Sequence, residues 1–134
     1  MERLLGPYSP YLYAVMRIVV GFLFACHGAQ KLFGMFGGVG PDDGTVPFFS
    51  MMGLAGLIEL FGGLFITLGW LTGSVAFIAS GEMASAYFMG HYPQGFWPIV
   101  NNGELAVLYC FIFLYMASKG AAVWSIDSLR RKAR

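Results

Sequence analysis

The chain has 134 residues, 57% of them hydrophobic and 11% charged, with a mean hydropathy of +0.67. An ordinary soluble domain is ~45–50% apolar and ~25% charged, so the composition excludes that class and indicates an integral membrane protein. The length admits one domain with four spans of about 20 residues and no separate soluble catalytic module, and a net charge of +1 excludes the broadly basic surface of a nucleic-acid binder.

The first apolar run extends from about Tyr11 to Phe33 and is broken by the Gly/Pro/Asp loop 34–47, which carries Asp42 and Asp43. The second runs from about Phe48 to Gly69 and closes on Trp70-Leu71-Thr72-Gly73. The third runs from about Ser74 to Met89, followed by a loop with His91, and the fourth from about Ile99 to Ser118. None shows the strict alternation of a barrel strand, and helices are then the way to satisfy the backbone in lipid. Lys119, Arg130, Arg131, Lys132 and Arg134 lie in the tail and Arg3 at the amino end, whereas the two opposite loops offer Asp42, Asp43 and His91. By the positive-inside rule both termini are cytoplasmic. The expected fold is an all-α, integral membrane four-helix bundle. Leu23-Phe24-Ala25-Cys26 loosely imitates a lipoprotein signal, but Phe24 is bulky where a small residue is wanted, and loss of the first helix would leave three spans with unpaired acids.

Six ionisable residues fall inside these runs: Arg17, His27, Lys31, Glu59, Glu82 and Glu104. A charge in hydrocarbon costs a few kcal/mol, so such residues face a partner, a polar cavity or a substrate. Depth counted at ~1.5 Å per residue sorts them into a mid-membrane group of Arg17, Glu59 and Glu82 and an outer group of His27, Lys31 and Glu104. His27 and Lys31 are one turn apart on the same helix face. Long basic side chains could merge the groups into one polar column. Two readings stay open: the charges are interhelical glue on glycine-rich faces such as Ala55, Glu59 and Gly63, or they form a polar site for a small molecule, a quinone head group or a proton.

Other chemistries find less support. His27 and His91 lack the fixed spacing and further ligands of a metal or haem site, so no metal is expected. Cys26 and Cys110 form no C-x-x-C pair and read as small buried hydrophobes. The glycine-rich segment Gly37-Gly38-Val39-Gly40 lacks the following Lys-Ser/Thr of a phosphate-cradling loop.

The order Arg17, Gly21, His27-Gly28, Lys31-Leu32-Phe33-Gly34, then Ala55-Gly56-Leu57-Ile58-Glu59-Leu60-Phe61-Gly62-Gly63 and Leu68-Gly69, resembles the first two spans of the DoxX family. Met83-Ala84, His91, Gly95-Phe96, Asn102-Gly103-Glu104, Tyr109 and the tail Trp124-Ser125-Ile126-Asp127 extend the resemblance over nearly the whole chain. One departure is Gly120-Ala121-Ala122, where the family pattern has Gly-Pro-Gly. The resemblance implies a multi-pass protein of a bacterial inner membrane, with the lipid bilayer as its surroundings. It brings no agreed catalytic residues. Some relatives are described as the membrane subunit of a thiosulfate:quinone oxidoreductase, others as the membrane anchor of a thiol or oxidative-stress complex. Two functions follow as expectations: a subunit of a quinone-linked or thiol/sulfur oxidoreductase that needs a partner protein as electron donor, or a non-enzymatic anchor, accessory or transporter-like unit that favours a homo-oligomer. A quinone is the cofactor consistent with the first; no flavin, haem or iron–sulfur motif is evident.

Overall fold

Helix is the only regular secondary structure among the described residues. The computed structural model describes residues 1–39 and 44–132, with side chains to residue 131; Asp42, Asp43, Arg134 and the side chain of Lys132 lie outside the described residues. A short α1 (Glu2–Leu5) leads through a 3-10 turn into α2 (Ser9–Phe33). Pro10 occupies the first turn of α2, where its missing N–H has no helical partner to lose, and Gly34 stops the helix at φ 66°. Ser50 caps α3 (Met51–Leu68) by accepting the Gly53 N–H at 3.0 Å. A tight turn then leads to α4 (Thr72–Ala86), which a π-helical turn at Tyr87–His91 and a 3-10 turn at Tyr92–Gln94 prolong. The expected fourth span is interrupted near its start. A short α5 (Pro98–Asn101) ends at Asn102 with φ 58°, and α6 (Glu104–Lys119) begins only after Gly103. The tail closes with α7 (Ile126–Lys132).

Among the described residues two segments, Glu2–Phe33 and Met51–Leu68, are long and apolar enough to cross a membrane. The long helices expose apolar side chains, among them Val19 and Phe22 of α2, Leu54 and Phe61 of α3, Phe77 of α4 and Phe111 of α6, while Arg17 and Glu59 are buried. That distribution reverses the pattern of a water-soluble protein and suits lipid as the solvent.

Helix α2 packs on α3 and α4 on α6, with α3 against α4. The α2–α3 contact is backbone on backbone, the association that small residues permit between helices in lipid. A Cβ on Gly28 would lie 2.3 Å from the Leu60 nitrogen, and one on Gly63 would lie 2.4 Å from the Ala25 nitrogen. Gly28 thus faces Gly56 and Leu60, and Gly21 faces Gly63 and Thr67. This antiparallel register puts Glu59 level with His27 and Arg17 level with Gly69. Gly28→Ala is expected to cost about 1–3 kcal/mol through forced separation of the helices, whereas Gly81→Ala, where an added Cβ meets nothing within 4 Å, leaves the melting temperature in detergent unchanged or slightly raised. Equal melting temperatures for the two variants would contradict the close contact.

The second pair is joined by Ser80, whose hydroxyl donates to the Cys110 carbonyl at 2.8 Å. Phe24 of α2 reaches α6, with ring centroids 4.6 Å from Phe113 and 5.5 Å from Tyr109. Phe24 and Phe113 are fully buried and lie in one apolar core with Ile66, Ala76, Ala79 and Met116.

Candidate functional site

Because the α3–α4 turn is tight, residues equally far from it come level. Glu59 and Glu82 each lie about three helical turns from it, roughly 15 Å along their helices. Lys31 arrives from α2 and its Nζ meets Glu59 Oε1 at 2.5 Å, the one salt bridge among the described residues. Lys31 is mostly buried and Glu59 almost wholly so. The other carboxylate oxygen, Glu59 Oε2, is buried without a hydrogen-bond partner among the described residues, and so is Glu82 Oε2. Glu59 and Lys31 are close enough to Glu82 to act on it electrostatically, and His27 acts on Glu59 in the same way. Tyr109 of α6 also lies within electrostatic reach of Glu59, and its ring meets the His27 ring edge-on at a centroid distance of 6.2 Å.

Four helices therefore contribute to one centre: His27 and Lys31 from α2, Glu59 from α3, Glu82 from α4 and Tyr109 from α6. One ammonium is in contact with Glu59 and only in electrostatic range of Glu82, so full ionisation of both acids would leave a negative charge that a proton or a bound molecule must balance. A buried carboxylate oxygen costs free energy unless something satisfies it, and native proteins rarely leave one bare. The donors present, Lys31 Nζ, the His27 ring and the Tyr109 hydroxyl, suit a carbonyl oxygen. The orphaned acceptors, Glu59 Oε2 and Glu82 Oε2, suit a hydroxyl or a proton.

Arg17 stands apart from this centre. Its guanidinium is fully buried and level with the end of α3, where Nη1 donates to the Ile66 and Thr67 carbonyls at 2.5 and 2.7 Å and Nη2 donates to the Trp124 carbonyl at 2.7 Å. The Ile66 and Thr67 carbonyls sit at the negative end of the α3 dipole, and although the Gly69 N–H also reaches the Ile66 carbonyl at 3.1 Å, the guanidinium supplies a charged donor there and a further one to the tail. Gly69, at φ 68°, makes room for it, since a Cβ there would lie 2.9 Å from Arg17 Nη1 and 2.3 Å from the Ser125 Cβ. The expected grouping of Arg17 with Glu59 and Glu82 gives way to a tie between α2, α3 and the tail.

Glu104 is separate too. It is exposed in the first turn of α6, where an acid complements the helix dipole, and the outer grouping with His27 and Lys31 is replaced by theirs with Glu59. His91 is bound into the end of the bundle, its Nδ1 3.0 Å from the Asn101 carbonyl oxygen. Asn101 is buried and bridges the helix break, donating from Nδ2 to the Gly95 carbonyl at 2.6 Å and accepting the Gly103 N–H at 2.8 Å. Asn101, and Asp127, whose carboxylate accepts the Leu71 and Thr72 N–H groups, carry structural roles that the charge pattern alone did not signal. For Asn101 the available cue was a polar residue inside Ile99-Val100-Asn101, immediately before Asn-Gly. Tyr109 had the cue of a hydroxyl in the middle of an apolar run.

A family model described as DoxX matches residues 12–92. A Haemophilus influenzae (strain Rd) protein carrying the name "Uncharacterized protein" is 41% identical over 131 residues, which cover 92% of this chain and 94% of that protein. A Bacillus subtilis (strain 168) protein named "Putative oxidoreductase CatD" is 25% identical over 120 residues, covering 84% of this chain and 82% of that protein. No solved structure matches the chain.

Proposed function

The chain belongs to the DoxX family, and from that premise we propose that it is a four-span inner-membrane bundle with cytoplasmic termini, serving as the membrane subunit of a quinone-linked or thiol/sulfur redox complex. The observation that carries this reading is the pair of buried carboxylate oxygens, Glu59 Oε2 and Glu82 Oε2, without a hydrogen-bond partner among the described residues, the first on the acid that Lys31 contacts. The name of the Bacillus subtilis relative is in keeping with it. The four-span topology draws support from the apolar outer surfaces of α4 and α6 and from the basic tail.

The donor set and the orphaned acceptors fit a quinone head group. Such a group, when bound, supplies a two-electron, two-proton acceptor soluble in lipid. Lys31 and His27 orient its carbonyl oxygen, with Lys31 held in place by Glu59. Glu82, whose Oε2 has no hydrogen-bond partner among the described residues, would give one proton and, recharged from the aqueous side, the second, so that two protons accompany the two electrons. The two electrons come from a partner protein or a reduced sulfur compound that docks on the complex.

Membranes containing the wild type are expected to support quinone-dependent thiosulfate oxidation, and the purified protein to carry quinone detectable by mass spectrometry. Glu82→Gln should lower turnover by tenfold or more, in line with the loss of an acid–base group, without lowering the melting temperature. Absence of both bound quinone and quinone-dependent oxidation would overturn the redox reading.

A further inference from the structure

At the end of the bundle where α2 begins and α3 finishes, a groove of about 520 Å³ runs between these helices and the tail. Tyr11 and Leu68 of the bundle and Trp124, Ser128 and Leu129 of the tail are among the residues that line it. Tyr11, Leu68, Trp124 and Leu129 are all exposed, and the Tyr11 and Trp124 rings lie 5.3 Å apart. Tyr and Trp at a helix end sit at the headgroup level of a bilayer, where one part of the ring is wet and the rest is in lipid.

The charge at this end of the bundle is mainly basic, with Arg3, Lys119, Arg130 and Arg131 against Glu2 and Asp127 among the described residues. Arg130 and Arg131 follow the lining residue Leu129 directly and are exposed just outside the groove lining, Arg131 with its guanidinium by Gly120, next to the exposed Lys119 at the end of α6. Asp127, the acid of α7, is already engaged, its Oδ1 and Oδ2 accepting the Leu71 and Thr72 N–H groups at 3.1 and 3.2 Å. Among the described residues no carboxylate pairs with Arg130 or Arg131.

We propose that this groove binds one anionic phospholipid, its glycerol and upper acyl segments lying between Tyr11 and Leu129 and its phosphate against Arg130 and Arg131. Apolar walls with interfacial aromatics take the chain, and unneutralised arginines take the phosphate, which they match bidentately. A zwitterionic lipid offers the same chains without the net charge. The inference rests on the membrane placement and not on the redox chemistry, so its failure leaves the latter untouched.

The test is native mass spectrometry of the full chain in mild detergent with added phosphatidylglycerol or phosphatidylethanolamine of identical acyl chains. One phosphatidylglycerol should be retained roughly tenfold or more over phosphatidylethanolamine. The double variant Arg130→Gln, Arg131→Gln should bring the ratio close to one. Ser128→Phe, which fills the groove and leaves the cations, should do the same, with Leu129→Trp used if the first variant does not melt like the wild type in lipid-free detergent. Equal retention of the two lipids by the wild type overturns the proposal. A preference that survives the arginine variant overturns it, because these cations then do not hold the phosphate, and one that survives the filled groove overturns it, because charge attraction without a groove is then the whole effect.

Discussion

Arg17→Met is expected to destabilise the protein by about 3–5 kcal/mol, the loss typical of removing one partner from a buried, charge-assisted network. The Thr67 and Trp124 carbonyls lose the guanidinium donor, and the Ile66 carbonyl is left with the Gly69 N–H alone, in a place where packing limits replacement by water. Methionine fills much of the volume, so the loss reads the hydrogen bonds and not a cavity. Arg17→Lys should fall between, since an ammonium on a single nitrogen cannot fork between the end of α3 and the tail. Thermal unfolding in detergent, with proteolysis of the tail as a second readout, checks both. A stability for Arg17→Met within 1 kcal/mol of wild type would mean that the carbonyls find other partners.

The second large effect separates glue from chemistry in the central cluster. Lys31→Met leaves Glu59 buried beside Glu82 with no cation salt-bridged to it, and should cost about 3–5 kcal/mol. Adding Glu59→Gln to Lys31→Met removes the stranded charge and should restore most of that loss, because a buried pair replaced as a unit is often near neutral. Function, by contrast, should not return in the double variant, since Lys31 Nζ and the Glu59 carboxylate are both part of the proposed site. Recovery of stability together with activity would assign the Lys31–Glu59 pair to assembly alone.

Much of the helical framework is legible in the amino-acid order. The bounds expected for the second helix, 48–69, compare with Met51–Leu68 in the structure, and those for the first, 11–33, with Ser9–Phe33. Glycine and proline punctuation together with apolar runs carry that information locally. The fourth run misled because Ile99 and Val100 are as apolar as a span, yet Asn101 and Gly103 use their hydrogen bonds to break it. The departure at Ala122 was visible as well. Its φ of 55° lies in the left-handed region, where the glycine of the family pattern carries no penalty and alanine costs about 1 kcal/mol or more.

The partners of the charges were not legible in the same way. Counting depth from an assumed membrane surface set Arg17 beside Glu59, but the glycine contacts between α2 and α3 fix a register in which the two are about 15 Å apart along the helices. Lys31, fourteen residues beyond Arg17 and so about 21 Å further along α2, is the cation that meets the acid.

By itself, then, the sequence determined the lipid environment, the all-helical class, the helix ends and the level match of Glu59 with Glu82, because hydropathy, punctuation and a tight turn act over neighbouring residues. Only the tertiary structure decided that Arg17 caps a helix, that Lys31 neutralises Glu59 and that Glu104 stays outside. Those outcomes depend on which faces meet and at what register, and in this protein a few backbone contacts at Gly21, Gly28 and Gly63 set both.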